Sequence, residues 1–181
     1  MTPSSGTPDI SFEFFPPKSL EASFRLWDTL GVLAPLGPQF VSVTYGAGGT
    51  TRDLTHDAVG TIGKHYGLNV AAHLTCVNAS REETLEIARR YADAGVREIV
   101  ALRGDPPKGS DKFEAVAGGL RYANELVTLI RQSFGQDFGI AVAGYPEVHQ
   151  EAVDAQTDLE NLKRKVDSGA DIVITQLFYC N

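Results

Sequence analysis

The chain has 181 residues, of which 43% are hydrophobic and 22% are charged, a composition typical of one globular domain with a substantial core. Its net charge of −7 argues against a surface that binds nucleic acid or a membrane, and no apolar run is long enough to span a bilayer. The two cysteines, Cys76 and Cys180, lie far apart and outside any CxxC pair, which favours a reducing, cytoplasmic environment and no structural metal.

Strands and helices are predicted to alternate along the whole chain after a flexible tail at residues 1–9. Six apolar runs predict strands at residues 10–15, 40–45, 69–77, from Val100, 138–143 and 171–179. Helical spacing of apolar residues predicts five helices. The first follows Ser19 and carries Leu20, Phe24, Trp27, Leu30 and Ala34; the second carries Leu54, Ala58 and Ile62 and ends at Gly67; the third runs from the Ser80–Glu83 capping box to Gly95. The fourth covers about 117–134 with Leu120, Ala123, Val127 and Ile130, and the fifth covers about 157–168 and is expected to bury Leu159, Leu162 and Val166.

The repeat of about 30 residues matches one unit of a (β/α)₈ TIM barrel, and a doubly wound open α/β sheet is the alternative. Polar residues follow every predicted strand rather than one switch point, which favours the barrel. At this repeat length residues 10–181 hold about six units in a single domain. We therefore expect a barrel truncated after about six strands, with strands seven and eight absent and the chain forming the N-terminal part of a longer protein.

The carboxyl ends of the strands carry the candidate chemistry, because these ends meet at one mouth of a barrel. They offer Glu13, Thr44, Tyr45, His73, Thr75, Arg103, Gly104, Asp105, Tyr145, Glu147, His149 and Gln176. Glu13 stands among phenylalanines, so desolvation is expected to raise its pKa and suit it to general acid catalysis. Asp105 lies at an open turn and is expected to stay ionised. Without a GxSxG motif or a His-x-x-His pair, metal-free acid chemistry or cofactor chemistry remains.

Three further patterns each leave two interpretations open. The glycine-rich segment 46–51 is a poor dinucleotide fingerprint and fits either a turn beside a ligand or a plain βα loop. Asp158, Asn161 and Lys165, with Arg164 beside them, form either a solvated helix face with a Glu160–Arg164 pair or a site for a ribose and a diphosphate. Taken alone, His73 and Tyr145 are more typical of packing residues than of ligand contacts.

Six strings, taken together and in order, resemble the methylenetetrahydrofolate reductase family over essentially the whole chain after residue 9. They are Ser-Phe-Glu-Phe-Phe-Pro-Pro (11–17), Val-Ser-Val-Thr-Tyr-Gly (41–46), His-Leu-Thr-Cys (73–76), Ala-Leu-Arg-Gly-Asp (101–105), Ala-Gly-Tyr-Pro-Glu (143–147) and Ile-Thr-Gln-Leu-Phe (174–178). The resemblance implies a (β/α)₈ barrel that binds FAD at the strand ends. It implies NAD(P)H-dependent reduction of 5,10-methylenetetrahydrofolate to 5-methyltetrahydrofolate, in one-carbon folate metabolism and methionine biosynthesis. The chain's expected partners are then small molecules and not nucleic acid or a membrane. Whether the protein forms a homo-oligomer is left open.

The resemblance also assigns roles to individual residues. It implies that Glu13 is the general acid, that Asp105 is a catalytic carboxylate near both flavin and substrate, and that Gln176 contacts the folate. FAD or nicotinamide contacts are implied for Thr44, Tyr45, Ala47, His73, Arg103, Gly104, Asp105, Ala123, Tyr145, His149, Asp158, Asn161, Arg164 and Lys165. The choice between NADH and NADPH is left open.

Two other functions remain as alternatives at this point. One is a flavin-free barrel enzyme, such as a pterin-binding methyltransferase or a lyase, that uses the same carboxylates. The other is a binding or regulatory protein on a half-barrel scaffold, which carboxylates at two strand ends argue against. Because the family's later strands supply further substrate contacts, we expect the 181-residue chain on its own to be unstable or inactive.

Overall fold

The computed structural model describes residues 8–45, 51–106, 109–110 and 112–179. These residues form six strands and five α-helices, with one short 3₁₀ helix, in strict alternation. In chain order they are β1 (Ser11–Phe14), α1 (Leu20–Leu33), a 3₁₀ helix (Ala34–Leu36), β2 (Phe40–Val43), α2 (Arg52–Tyr66), β3 (Val70–Thr75), α3 (Arg81–Asp93), β4 (Glu98–Leu102), α4 (Ala123–Phe134), β5 (Gly139–Gly144), α5 (Ala155–Asp167) and β6 (Ile172–Thr175).

The six strands form one parallel sheet in the order β1-β2-β3-β4-β5-β6. A doubly wound sheet would reverse its strand order at a switch point, and this sheet does not. Strands in sequence order joined by helices are instead the arrangement of a (β/α) barrel. The predicted barrel architecture of about six strands is therefore confirmed as an open half-barrel, with β1 and β6 at its two edges.

Helix boundaries follow from local capping chemistry. Ser19 Oγ accepts a hydrogen bond from the Ala22 amide at 3.1 Å and begins α1. The predicted capping box is present, with the Ser80 amide bonded to Glu83 Oε2 at 2.8 Å and the Glu83 amide to Ser80 Oγ at 3.2 Å. Gly67 ends α2 with a left-handed φ of 63°, a conformation that glycine adopts without steric cost.

Two groups of buried apolar residues lie on the two faces of the sheet. The larger joins alternate strand residues such as Val43, Leu74 and Ile140 to helix residues such as Leu30 and Ile130. The smaller consists of Ala71, Val100 and Ala141, with Phe40 and Leu102 packed against it, and it includes no helix residue. The helices therefore cover one face of the sheet, and the opposite, concave face is the inside of the half-barrel.

Arg131 on α4 joins four segments at the amino-terminal end of the sheet. Its guanidinium donates to the carbonyl oxygens of Gly169 at 2.8 Å, Gly135 at 3.0 Å and Phe138 at 2.6 Å, and it also pairs with Asp171. These bonds tie the ends of α4 and α5 to the starts of β5 and β6. Since buried carbonyl groups need hydrogen-bond donors, this arginine stabilises the end of the sheet opposite the strand ends that carry the candidate chemistry.

Two predicted helices differ from the observed ones. α4 begins at Ala123 rather than near residue 117, because Gly119 instead pairs with Ser80 in an isolated antiparallel bridge. α5 was expected to bury three apolar residues, but Leu159 is 60% and Val166 45% exposed. That expectation is wrong because α5 lies at the β6 edge, where its packing partners are α4 and β5.

Edge position has the same effect at the other side of the sheet. Leu20 and Phe24 on α1 continue the predicted apolar stripe but are exposed, whereas Leu26 and Leu30 are buried. Helical spacing identifies the apolar face of a helix, but the neighbours of that face decide which of its residues are buried. Among the described residues, no helix combines the length and apolarity needed to cross a membrane.

Candidate active site at the carboxyl ends of the strands

A cavity of about 680 Å³ opens at the carboxyl ends of β3, β4 and β5, between the start of α4 and one face of α5. It brings together thirteen of the residues predicted from the sequence. They are Tyr45, Thr75, Arg103, Gly104, Asp105, Ala123, Tyr145, His149, Asp158, Asn161, Arg164, Lys165 and Gln176. Convergence of residues from six separate segments on one cavity is the arrangement expected at the functional end of a barrel.

Four predicted residues lie outside the walls of this cavity: Glu13 on β1, Thr44 directly after β2, His73 on β3 and the exposed Glu147 after β5. Glu13 and His73 face each other across β2, and the Thr44 carbonyl accepts a hydrogen bond from Thr55 Oγ1 at 3.0 Å. Ala47 and the rest of segment 46–50 lie outside the described residues, and the same is true of Cys180.

Glu13 is ionised by its neighbours rather than protonated by burial. His73 Nε2 lies 3.3 Å from Glu13 Oε2, and Ser42 Oγ donates to the same oxygen at 3.5 Å. The hydrogen bond from His73 lowers the pKa of Glu13, and burial opposes it only in part. The expected rise in pKa is therefore wrong. The physical reason is strand alternation, which turns Phe12 and Phe14 to the helix-covered face, away from the carboxylate.

Arg103 follows β4 and is held by a carboxylate 48 residues later in the chain. Its two terminal nitrogens donate to Glu151 at 2.5 and 2.9 Å, and its guanidinium lies 5.3 Å from the centre of the Phe113 ring. The hydrogen bonds to Glu151 raise the pKa of Arg103 further. Glu151 thus fixes the guanidinium within its own plane, and the Phe113 ring packs against one of its faces.

Gly104 makes the turn that carries the chain from β4 to the exposed Asp105. Its φ is 86°, and a Cβ at this position would lie 2.5 Å from Val77 Cγ2 and 3.0 Å from Thr75 Cβ. A larger residue would therefore suffer both backbone strain and a steric clash. The sequence Arg-Gly-Asp needs its central glycine for a close approach to β3.

The loop between β5 and α5 presents two rings to the cavity. Tyr145 and His149 meet edge to face, with ring centroids 4.6 Å apart. Burial raises the pKa of Tyr145, and the negative charge of Asp105 adds to this rise. The His149 amide donates to Asp158 Oδ2 at 3.1 Å, which anchors the loop to the first turn of α5. The phenol is therefore protonated at neutral pH and can donate a hydrogen bond.

One face of α5 supplies both cations and hydrogen-bonding groups. Lys165 Nζ donates to the Ala143 carbonyl at 2.5 Å, and burial lowers the pKa of this lysine. Arg164 donates to Asn161 Oδ1 at 2.9 Å and lies 3.9 Å from Glu160. The Glu160–Arg164 pair of the first interpretation is present, and Asp158, Asn161, Arg164 and Lys165 line the cavity, so the site for a ribose and a diphosphate stays a prediction.

Comparison with known proteins places this geometry in a family. The family model for methylenetetrahydrofolate reductase matches residues 1–181. The chain belongs to the methylenetetrahydrofolate reductase family. A 5,10-methylenetetrahydrofolate reductase of Escherichia coli (strain K12) is 51% identical over 174 residues, which cover 96% of this chain and 56% of that protein. Methylenetetrahydrofolate reductase (NADH) 1 of Arabidopsis thaliana is 42% identical over 183 residues, covering 96% of this chain and 31% of that protein.

The chain thus spans about half the length of the bacterial reductase that it matches. Solved structures with little sequence similarity share its fold. A phosphoenolpyruvate phosphomutase from Streptomyces platensis subsp. rosaceus superposes with a TM-score of 0.60 at 14% identity, covering 94% of this chain and 60% of that one. An oxaloacetate acetylhydrolase gives a TM-score of 0.61 at 14% identity, covering 95% and 59%. At this identity the likeness supports the barrel architecture alone.

Several residues of the site in this family member were missed by the sequence interpretation. Tyr122, Asn124, Glu151 and Thr157 line the cavity. Thr157 could have been found, because it lies four residues before Asn161 on the same helical stripe. Glu151 carries no comparable signal, since its partner Arg103 is 48 residues away. In the part of the chain that the structure describes, no group of three or more His, Cys, Asp or Glu side chains could hold a metal ion.

Proposed function

We propose that this chain forms part of the catalytic domain of a reductase that converts 5,10-methylenetetrahydrofolate to 5-methyltetrahydrofolate. NADH or NADPH is the donor, and the reaction belongs to the cytoplasmic one-carbon metabolism that leads to methionine. The observation that carries the proposal is the cavity at the strand ends, where cations, hydroxyl-binding groups and aromatic rings converge. The family's reductase activity is what this set of groups would serve.

The cavity residues fit FAD in their chemistry. A volume of about 680 Å³ lies within the range of roughly 300–1,000 Å³ typical of cofactor sites. Arg164 and Lys165 would neutralise a diphosphate, and Asp158 with Asn161 would bind ribityl or ribose hydroxyl groups. Arg164 is well suited, because its side chain is 62% exposed and its 3.9 Å pair with Glu160 is loose. When bound there, FAD would supply the hydride chemistry that links nicotinamide to folate.

Proton delivery is assigned to Glu13 together with His73. A carboxylate with a lowered pKa is ionised at neutral pH and cannot act alone as an acid. His73 Nε2 is its hydrogen-bond partner at 3.3 Å, so a proton held between these two atoms is available to a substrate nitrogen at Glu13. Glu13 remains the group that donates to the folate, and His73 replaces its proton.

Asp105 and Gln176 are assigned to the substrate. Asp105 is exposed at the cavity after the Gly104 turn, where a fixed negative charge would stabilise the cation formed when the folate ring opens. The Gln176 amide nitrogen of the main chain bonds to the Gly144 carbonyl at 2.9 Å, which fixes this residue beside Tyr145. Its side-chain amide hydrogen-bonds the Tyr145 phenol, and it would exchange this partner for the folate when substrate binds.

The test separates the two half-reactions in the reductase of which this chain is proposed to form part, because the 181-residue chain on its own is expected to be unstable or inactive. We expect the protein to bind FAD, NADH to bleach the flavin absorbance, and 5,10-methylenetetrahydrofolate to accept the hydride. Glu13→Gln should leave bleaching by NADH intact and reduce folate turnover at least 100-fold, the lower range for general acid catalysis. Glu147→Gln, an exposed carboxylate outside the cavity lining, is the matched control. A reductase that binds no FAD, or equal loss of both half-reactions in Glu13→Gln, contradicts the proposal.

A further inference from the structure

Glu151 occupies a central position in the loop between β5 and α5. Its two carboxylate oxygens accept hydrogen bonds from both terminal nitrogens of Arg103, at 2.5 and 2.9 Å. This bidentate pair spans the cavity from the end of β4 to the loop that follows β5. It therefore links two walls of the site that are 48 residues apart in sequence.

The main chain of Glu151 also fixes His149. The Glu151 amide donates to His149 Nδ1 at 3.1 Å. A backbone N–H can only donate, so Nδ1 is the acceptor and the neutral imidazole carries its proton on Nε2. The ring stands edge-on to Tyr145 with centroids 4.6 Å apart. The position of Glu151 thus decides which imidazole nitrogen is available as a donor.

The loop has a conformation that requires external restraint. Val148 has a φ of 68°, and its amide donates to the Tyr145 carbonyl at 3.2 Å to close a tight turn. A β-branched residue is disfavoured in this left-handed region, and such conformations persist where surrounding contacts hold them. Contacts that hold this loop include the Arg103–Glu151 pair, the bond from the His149 amide to Asp158 and the hydrogen bond between Tyr145 and Gln176.

The contacts of Arg103 limit which of its atoms can bind a ligand. Its terminal nitrogens are both engaged by Glu151, and Phe113 lies 5.3 Å from the guanidinium carbon. Because Glu151 occupies the bidentate fork and Phe113 covers one face, the other face of the guanidinium is what Arg103 can offer to a bound group. A diphosphate would find its cations on α5, at Arg164 and Lys165, and Arg103 would serve a flat ring or a single oxygen.

We propose that Glu151 is a positioning residue of this site. Its bidentate pair with Arg103 holds the 145–153 loop so that His149 and Tyr145 face the cofactor in a fixed arrangement. The inference rests on the proposed function for the identity of the cofactor as FAD. The restraint of the loop by Glu151 is inferred from contacts within this chain and does not depend on the identity of the cofactor. Because the pair is partly exposed, with Glu151 half exposed, its effect is local rather than on global stability.

The test compares Glu151→Gln with Glu147→Gln, which removes the same charge from the same loop at an exposed position. Amide hydrogen exchange over residues 145–153 is measured in each variant, together with FAD affinity by fluorescence titration. For Glu151→Gln we expect loop exchange about tenfold faster and FAD binding about five- to tenfold weaker, with unchanged urea midpoint. Arg103→Lys keeps the charge but loses the fork, and it should reproduce the faster loop exchange without adding to it in the double variant.

Each outcome decides one claim. Unchanged loop exchange in Glu151→Gln, or equal effects in Glu147→Gln, overturns the positioning role. Faster exchange with unchanged FAD affinity also overturns it, while leaving the proposed reductase intact. If the unmodified reductase that contains this chain binds no FAD, the proposed function fails, and the exchange rates of the two single variants and the double variant then decide the role of Glu151 by themselves.

Discussion

The charge on a single residue, Glu13, is set by a partner across the sheet and not by its neighbours in sequence. Three phenylalanines surround it in the chain, yet two of them lie on the opposite face of β1. The concave face instead brings it His73 from β3 and Ser42 from β2. Strand alternation and strand pairing together therefore override the local hydrophobicity that predicts a raised pKa.

Replacing His73 by Phe tests this account. The change removes the hydrogen bond that contributes most to the lowered pKa and leaves desolvation, so the pKa of Glu13 should rise. Carbon-13 NMR titration of the Glu13 carboxyl measures it, and Ser42→Ala should give a smaller rise in the same direction. An unchanged titration in His73→Phe would refute the assignment.

The same pair makes a small contribution to stability that depends on pH. Since the folded-state pKa of Glu13 lies below its unfolded value, the ionised carboxylate favours folding above the ordinary glutamate range, and the contribution is lost as pH falls through the lowered pKa. Solvent screening limits its size, because the Glu13 side chain is 55% exposed.

At the scale of the element, α5 shows how a helix at the edge of the sheet serves the site more than the core. Its apolar residues Leu159 and Val166 are largely exposed, while its polar stripe lines the cavity. Asp154 Oδ1 caps the helix by accepting from the Thr157 amide at 2.7 Å. The cap and the bond from the His149 amide to Asp158 fix the first turn, which directs Arg164 and Lys165 into the cavity.

Arg164→Gln should weaken FAD binding about tenfold in fluorescence titrations, since one charge-assisted hydrogen bond is worth roughly 1.5–3 kcal/mol. The control is Lys163→Gln on the adjacent position, where the side chain pairs with Asp167 at 2.5 Å outside the cavity lining. Equal weakening in both variants would indicate a diffuse charge effect and not a contact with the diphosphate.

Much of the fold could be predicted because its signals are local. The Ser19 cap, the Ser80–Glu83 box and the Gly67 terminus each depend on residues within four positions of one another, and the structure confirms all three. Thirteen predicted residues of the candidate site meet at one cavity because parallel strands place their carboxyl ends together.

The rest could not be predicted because it depends on contacts between distant segments. The Arg103–Glu151 pair joins residues 48 apart, and nothing in the spacing of either indicates the other. The exposure of Leu159 depends on what packs beside α5, which helical periodicity does not specify. The start of α4 was misplaced because Gly118 and Gly119 interrupt an apolar stripe to meet the loop at Ser80.

Over the whole molecule, the two ends of the sheet have separate roles. The carboxyl end carries the cavity, whereas the amino end is tied together by Arg131, whose side chain is only 12% exposed. It donates to three carbonyl groups and pairs with Asp171, whose Oδ2 also accepts from the Ile140 amide at 2.7 Å. This division lets the site vary while the sheet stays intact.

Arg131→Met should therefore lower the free energy of unfolding by about 3 kcal/mol, because the carbonyl groups lose a donor and Asp171 loses its cationic partner. Urea denaturation measures the loss, and FAD affinity should stay within about twofold. Arg89→Met, which removes an exposed pair with Glu86, should change stability by less than about 0.5 kcal/mol. A large loss of FAD affinity in folded Arg131→Met would contradict the division of roles.

Cys76 gives the chain an internal reporter of opening at the β3–β4 junction. The side chain is fully buried beside the carbonyls of Leu102 and Tyr122, and burial raises the pKa of its thiol to about 12. Alkylating reagents attack the thiolate, so Cys76 is inert while this junction is closed. In a Cys180→Ser variant, the rate of Cys76 alkylation therefore measures how often β3 and β4 separate at the ends that support Arg103 and Gly104. The opening rate of this part of the barrel wall can thus be measured at a native residue, without introducing a new cysteine.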